Sequence, residues 1–199
     1  MKLKSTIYPL TFVLAAMPTV ALAHTGVGEN SGFFHGFTHP ISGLDHILAM
    51  VMVGVLAYQL GGRALWLVPM AFVLAMAAAG ALGAAGFDVP FVEAGIALSV
   101  VVLGMSVALS VKAPAAVVMA IVGLFAVFHG HAHGTEMPDN AGSVAYGAGF
   151  MIATALLHVA GIATGFLIGK VGEQHSSRVV RTSGGIAALA GVGILAGIL

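Results

Sequence analysis

The stretch FHGHAHGTEMP, residues 128–138, sets His129, His131 and His133 at alternate positions and places Glu136 three residues past the last of them. Neutral imidazole and carboxylate are ligands for divalent transition metals. On a helix, His129 and His133 form an i, i+4 pair, the spacing that lets two imidazoles reach one ion from a single face. His131 points elsewhere unless Gly130 or Gly134 breaks the helix. A helix ending here also presents the negative end of its dipole, which favours a cation. A second stretch, THPISGLDH at residues 38–46, supplies His39, Asp45 and His46. On a helix continuing from Pro40, at about 100° per residue, His39 and His46 nearly superpose. Gly43 and Met50 share that face, and Asp45 sits about a quarter turn from His46. Glu93 and His158 join the set because ionisable groups inside apolar segments are costly, and usually pair and mark a pathway. The candidate metal ligands are therefore His39, Asp45, His46, Glu93, His129, His131, His133, Glu136 and His158.

Each residue also has a plainer role. His39 beside Pro40 can cap a helix, and Asp45–His46 can be a structural hydrogen-bonded pair. Glu93 can be a protonated packing residue, and His158 can bond to a neighbouring helix. His35 suits an interface and His175 a solvated loop. The plain roles weaken for the set, because several separate histidines and acids converge on one side. The chain has no cysteine, which excludes disulfides, thiolate sites and iron–sulfur clusters held by the chain. Imidazole and carboxylate without thiolate suit nickel, cobalt, zinc, copper(II) or iron, and spacing does not choose among them. Magnesium and calcium prefer oxygen-only sites. The methionines mostly fill gaps.

The elements that must position these groups are membrane-spanning. Of 199 residues, 59% are hydrophobic and 7% charged, with mean hydropathy +1.07. Soluble domains devote about a quarter of their residues to charge, so lipid must be the main solvent here. The 28 glycines suit close approach between spanning helices. Net charge is zero, which disfavours nucleic acid as a partner.

Lys2 and Lys4, an apolar run near residues 7–17, Pro18 and then Ala21-Leu22-Ala23 have the form of a secretory signal. Cleavage is expected after Ala23. His24 would then be the mature N-terminus, able to chelate a metal through its amine and imidazole. The organisation expected is a signal peptide at 1–23 and one six-span domain at 24–199. Spans of about 20 apolar residues are expected at 41–60, 64–85, 90–111, 114–133, 142–169 and 180–198. Pro40, Pro90 and Pro114 each fit a first helical turn. The fold class is thus an all-α membrane protein, a six-helix transmembrane bundle.

Export through the signal puts the mature N-terminus outside, and six crossings return the C-terminus there. Arg63, Lys112, Lys170, Arg178 and Arg181 then fall in or beside the loops left inside, as the positive-inside rule requires. The outer loops carry Asp88, Glu136 and Asp139. The two histidine stretches and Glu93 arrive at the same outer depth.

HPISGLDHILAMVMVGVLA, residues 39–57, resembles the HPxxGxDH signature of the HupE/UreJ family, and FHGHAHGTEMP resembles its second signature. VEAGIALSVVVLG, residues 92–104, is similar to that family's third span, and the resemblance covers the whole chain. It implies a secondary permease for nickel or cobalt, linked indirectly to hydrogenase or urease maturation; with the signal and the six spans, the expected location is a bacterial inner membrane, both mature termini periplasmic. The first signature carries over His39, Asp45 and His46. The second carries over His129, His133 and Glu136, with His131 less firmly attached.

The reading that follows is a transporter, not an enzyme, with no catalytic residue and no permanently bound cofactor. Its cargo is nickel or cobalt, with zinc allowed. A homo-oligomer is left open. The hydrated ion meets outer histidines and carboxylates, Asp45 and Glu93 offset its charge, and His158 is the next station. Glycines 43, 54, 95 and 104 let helices shift around the path. No Walker sequence is present, so a gradient or potential drives movement. Two rivals stand beside it: a membrane-embedded zinc hydrolase, and a metal-sensing accessory protein, for which the short loops leave little room.

Overall fold

The structure, a computed structural model, describes residues 29–138, 142–170 and 173–199. The expected signal peptide, its cleavage point and His24 lie outside these residues. Seven helices follow in order: α1 (Glu29–Ser42), α2 (Leu44–Leu60), α3 (Ala64–Ala84), α4 (Val92–Ala108), α5 (Ala115–Thr135), α6 (Ser143–Gly169) and α7 (Glu173–Leu195). Among the described residues there is no strand. The large apolar side chains Trp66, Leu74, Leu124, Leu156, Leu167 and Leu189 point outward. Apolar exposure on this scale requires lipid, and the chain is a multi-pass membrane protein.

Helix α2 is the centre. It touches all six other helices, and its middle is buried nearly all round, from Ala49 through Ala57, as expected of a helix apolar on every face. Helices α3, α5 and α6, with residues 177–195 of α7, are each long and apolar enough to cross a membrane. Helices α1 and α2 form a broken pair bent by 81°. Helix α4 is apolar but has only 17 residues, about 26 Å at about 1.5 Å per residue, somewhat short of a hydrocarbon core of about 30 Å. Six crossings therefore require both the broken pair and this short helix.

Two expectations about the first span need correction. No helix starts at Pro40: that residue lies inside the last turn of α1, a helix the hydropathy pattern did not reveal. The chain then breaks at Gly43, whose backbone is extended (φ −92°, ψ 125°). His39 ends one helix and His46 begins another, so they do not superpose on a shared face. Pro90 precedes α4 by a turn in which Phe91 is left-handed (φ 60°), while Pro114 is the N-cap of α5. Helix α7 starts at Glu173 instead of residue 180.

Glycines set the closest helix contacts. A Cβ on Gly130 or Gly134 of α5 would strike the carbonyl oxygens of Met76 and Gly80 on α3, and one on Gly83 would approach the His131 oxygen to 2.7 Å. Gly54 and Gly161 join α2 to α6, and Gly104 and Gly184 join α4 to α7, in the same way. At the end of the bundle away from the histidines, Arg181 Nε donates to the Ala108 carbonyl at 2.8 Å, satisfying an orphan acceptor at the end of α4.

Candidate metal centre

Helix α5 remains continuous through Gly130 and runs to Thr135, so the alternation in HGHAHG becomes a division of faces. Gly130 and Gly134 press against α3 while His129 and His133 turn toward α2. Both histidines are buried, at 0% and 2% exposure. His131 points elsewhere: its Nε2 donates to the Phe87 carbonyl at 2.6 Å, tying α5 to the α3–α4 connection.

The two histidine stretches meet. The His39 Nε2 lies 3.1 Å from Glu136 Oε2. The rings of His39 and His133 are 4.7 Å apart at 90°. Among the described residues, His39, His133 and Glu136 each offer a ligand atom, and these atoms all lie within 4.8 Å of one another. The side chains of His39 and Glu136 are 34% and 50% exposed, so these two form the mouth, with His133 buried behind them. The mouth opens on a cavity of about 280 Å³ lined by His39, Ser42, Asp45, His46, Glu93 and Glu136. Glu93, exposed in the first turn of α4, stands on the same cavity.

His46, on the wall of that cavity, leads inward to the fully buried His129. The His46 ring is 4.5 Å from that of His133 and 4.8 Å from that of His129. Asp45 Oδ1 accepts from the His46 backbone N–H and from its Nδ1, both at 2.8 Å. A side chain at Gly43 would displace that pair, since a Cβ there would come within 2.7 Å of Asp45 Oδ1 and 3.0 Å of His46 Nδ1. The first turn of α2, where the dipole is positive, is also a favourable place for the Asp45 carboxylate.

His158 is close by but not in contact. Phe72, fully buried, stands between, its ring 5.6 Å from His129 and 5.2 Å from His158. Ser99, also fully buried, meets His129 Nε2 at 2.9 Å, and Phe150 packs on His133 with ring centroids 3.9 Å apart. Sequence reasoning missed all three. Ser99 had a signal, as a hydroxyl within an apolar run; Phe72 and Phe150 had none that set them apart from other phenylalanines.

The nitrogens left over define the chemistry. His46 Nε2, His129 Nδ1, His131 Nδ1 and both nitrogens of His133 and of His158 are buried without a hydrogen-bond partner. Each such group costs about 1–3 kcal/mol. So many in one column of the bundle is poor for stability and suited to a ligand that accepts lone pairs.

The family model described as "HupE / UreJ protein" matches residues 11–194. A curated relative, "Protein HupE" of Rhizobium leguminosarum bv. viciae, is 48% identical over 188 residues, which cover 94% of this chain and 96% of the relative. No solved structure matches. With the family model and the relative both spanning the helices that build this centre, the chain belongs to the HupE/UreJ family.

Proposed function

We propose that this protein is a secondary transporter that takes up a divalent transition-metal ion, nickel or cobalt, across the inner membrane from a mouth open to the periplasm. The observation that carries the reading is the convergence of His39, His133 and Glu136 from two distant stretches within 4.8 Å. An ion shedding part of its water shell would first meet these three ligands, with Glu93 across the cavity. His133 adjoins both His39 and His46, and His46 adjoins His129, so these rings would pass the ion inward from the mouth. Asp45 would offset its charge there, and His158 would receive it beyond Phe72. His131, bonded to Phe87, is a tie and not a ligand in this scheme.

Both mature termini are placed outside, which puts Arg63, Lys112 and Arg181 on the cytoplasmic side. An inside-negative potential of about 100 mV would then supply roughly 4.6 kcal/mol to a divalent ion. The link to hydrogenase or urease maturation follows from the family and is indirect. The hydrolase reading gains no support from Ser99 beside His129: the hydroxyl lies 2.6 Å from the Ile96 carbonyl and is sealed from water.

Radiometal uptake into vesicles holding the purified protein tests the reading, with nickel, cobalt, zinc and copper compared. Saturable accumulation of nickel or cobalt that grows with an imposed inside-negative potential is expected. Vesicles that accumulate no metal ion beyond protein-free controls, at any potential, would overturn it.

A further inference from the structure

We propose that Ser99 is a positioning residue that decides which nitrogen of His129 is offered to the ion. Its Oγ lies 2.6 Å from the Ile96 carbonyl oxygen and 2.9 Å from His129 Nε2. A hydroxyl has one proton, and a carbonyl can only accept. The Ser99 proton therefore goes to Ile96, and Oγ receives the proton of His129 Nε2–H. A neutral imidazole carries one N–H, so Nδ1 of His129 is a bare lone pair, and it is buried with no partner in the protein. The opposite arrangement has two faults. It would leave two oxygens 2.6 Å apart with no proton between them. It would also bury an Nδ1–H without an acceptor, a state proteins avoid.

The same logic applies one ring away with the opposite result. Asp45 only accepts, so His46 carries its proton on Nδ1, and Nε2 is the bare, unpartnered atom. Adjacent rings 4.8 Å apart therefore present Nε2 from His46 and Nδ1 from His129. Each tautomer is fixed from behind by a group that need never touch the ion, the arrangement that orients histidine ligands in metal sites. The carboxylate at His46 was legible in the sequence; the hydroxyl at His129 acts across a helix interface. The role given to Ser99 in ion transfer rests on the transporter reading, whereas the tautomer of His129 does not.

The test uses the full chain in detergent, labelled with nitrogen-15 at histidine, beside nickel uptake in vesicles. The wild-type protein should show His129 protonated at Nε2 and bare at Nδ1. Ser99→Ala should lose that fixed tautomer and raise the half-saturating nickel concentration about 10- to 100-fold, the usual effect of removing a group that orients a metal ligand. Ser99→Thr, which keeps the hydroxyl, should restore both. A wild-type His129 protonated at Nδ1, or a Ser99→Ala protein with unchanged tautomer and half-saturation, would overturn the proposal. If the added methyl of Ser99→Thr disrupts folding, the alanine variant decides alone. Wild-type protein that shows the expected tautomer but transports no metal would remove the transporter reading and leave the hydrogen-bond assignment standing.

Discussion

Asp45 holds its neighbour twice, through the backbone N–H and the Nδ1–H of His46 at 2.8 Å each, and Gly43 is what allows it to. The expected consequence concerns Gly43→Ala. The new Cβ would meet the far end of the Asp45 side chain at 2.7 Å, which can swing away more cheaply than backbone can. The variant should therefore fold and insert normally, yet need about 10- to 100-fold more nickel for half-maximal uptake, because His46 loses its orienting partner. Asp45→Asn should weaken uptake by a similar factor, since the amide keeps the shape and discards the charge. A nickel titration of uptake rates at matched protein levels checks both, and wild-type half-saturation in either would remove Asp45 from the path. At this scale the sequence was informative where the chemistry lies in the residue itself, as for His39, Asp45, His46 and the α5 histidines. It was silent on Phe72 and marked Ser99 only as a hydroxyl in an apolar run; their positions matter because α3 and α4 bring them against His129.

Helices α3 and α5 explain why histidine and glycine alternate in HGHAHG. The glycine face lets the α5 backbone lie on α3, and that contact fixes how far His129 and His133 project. Gly134→Ala would drive a methyl into the Gly80 carbonyl, a backbone atom that cannot step aside. A loss of about 1–3 kcal/mol is expected, the cost of overpacking a tight interface, read as a lower unfolding temperature in detergent. Gly123→Ala on the same helix is the control, because its Cβ would meet only the Ala75 methyl at 3.9 Å and stability should hold or rise. Equal behaviour of the two variants would show that the seam does not fix the helix. His131→Ala should lower stability by about 1 kcal/mol, the worth of one hydrogen bond, with nickel half-saturation unchanged; weakened half-saturation would return His131 to the ligand set. The approximate positions of α2 to α6 were readable from hydropathy because long apolar runs leave few alternatives. The break at Gly43 was not. Pro40 resembles a helix start in local terms, but α1, with its histidines and small polar residues, is held as a helix by packing on α6, a contact invisible in its own sequence.

Across the whole molecule, the candidate ligands pass from the part-exposed His39 through His46 and His133, 8% and 2% exposed, to the fully buried His129, with Phe72 closing the column before His158. Ligands thus become less hydrated as the dielectric falls, and the basic residues gather at the far end. This polarity predicts an asymmetric response to pH. A proton and a metal ion compete for the same imidazole lone pair, so a protonated ring cannot bind a metal. The sign follows: lowering pH on the mouth side removes ligands and must weaken capture, while raising it restores them. In right-side-out vesicles at a fixed imposed potential, moving the external medium from about pH 7.5 to about pH 5.5 should raise the half-saturating nickel concentration. Acidifying only the lumen should not, because Phe72 and the packed α2 centre separate the cluster from that side. Protons driving the ion as a coupled partner would produce the reverse, with external acid stimulating uptake. Equal inhibition from either side would mean that the histidine column is open at both ends, contrary to its closure at the fully buried Phe72.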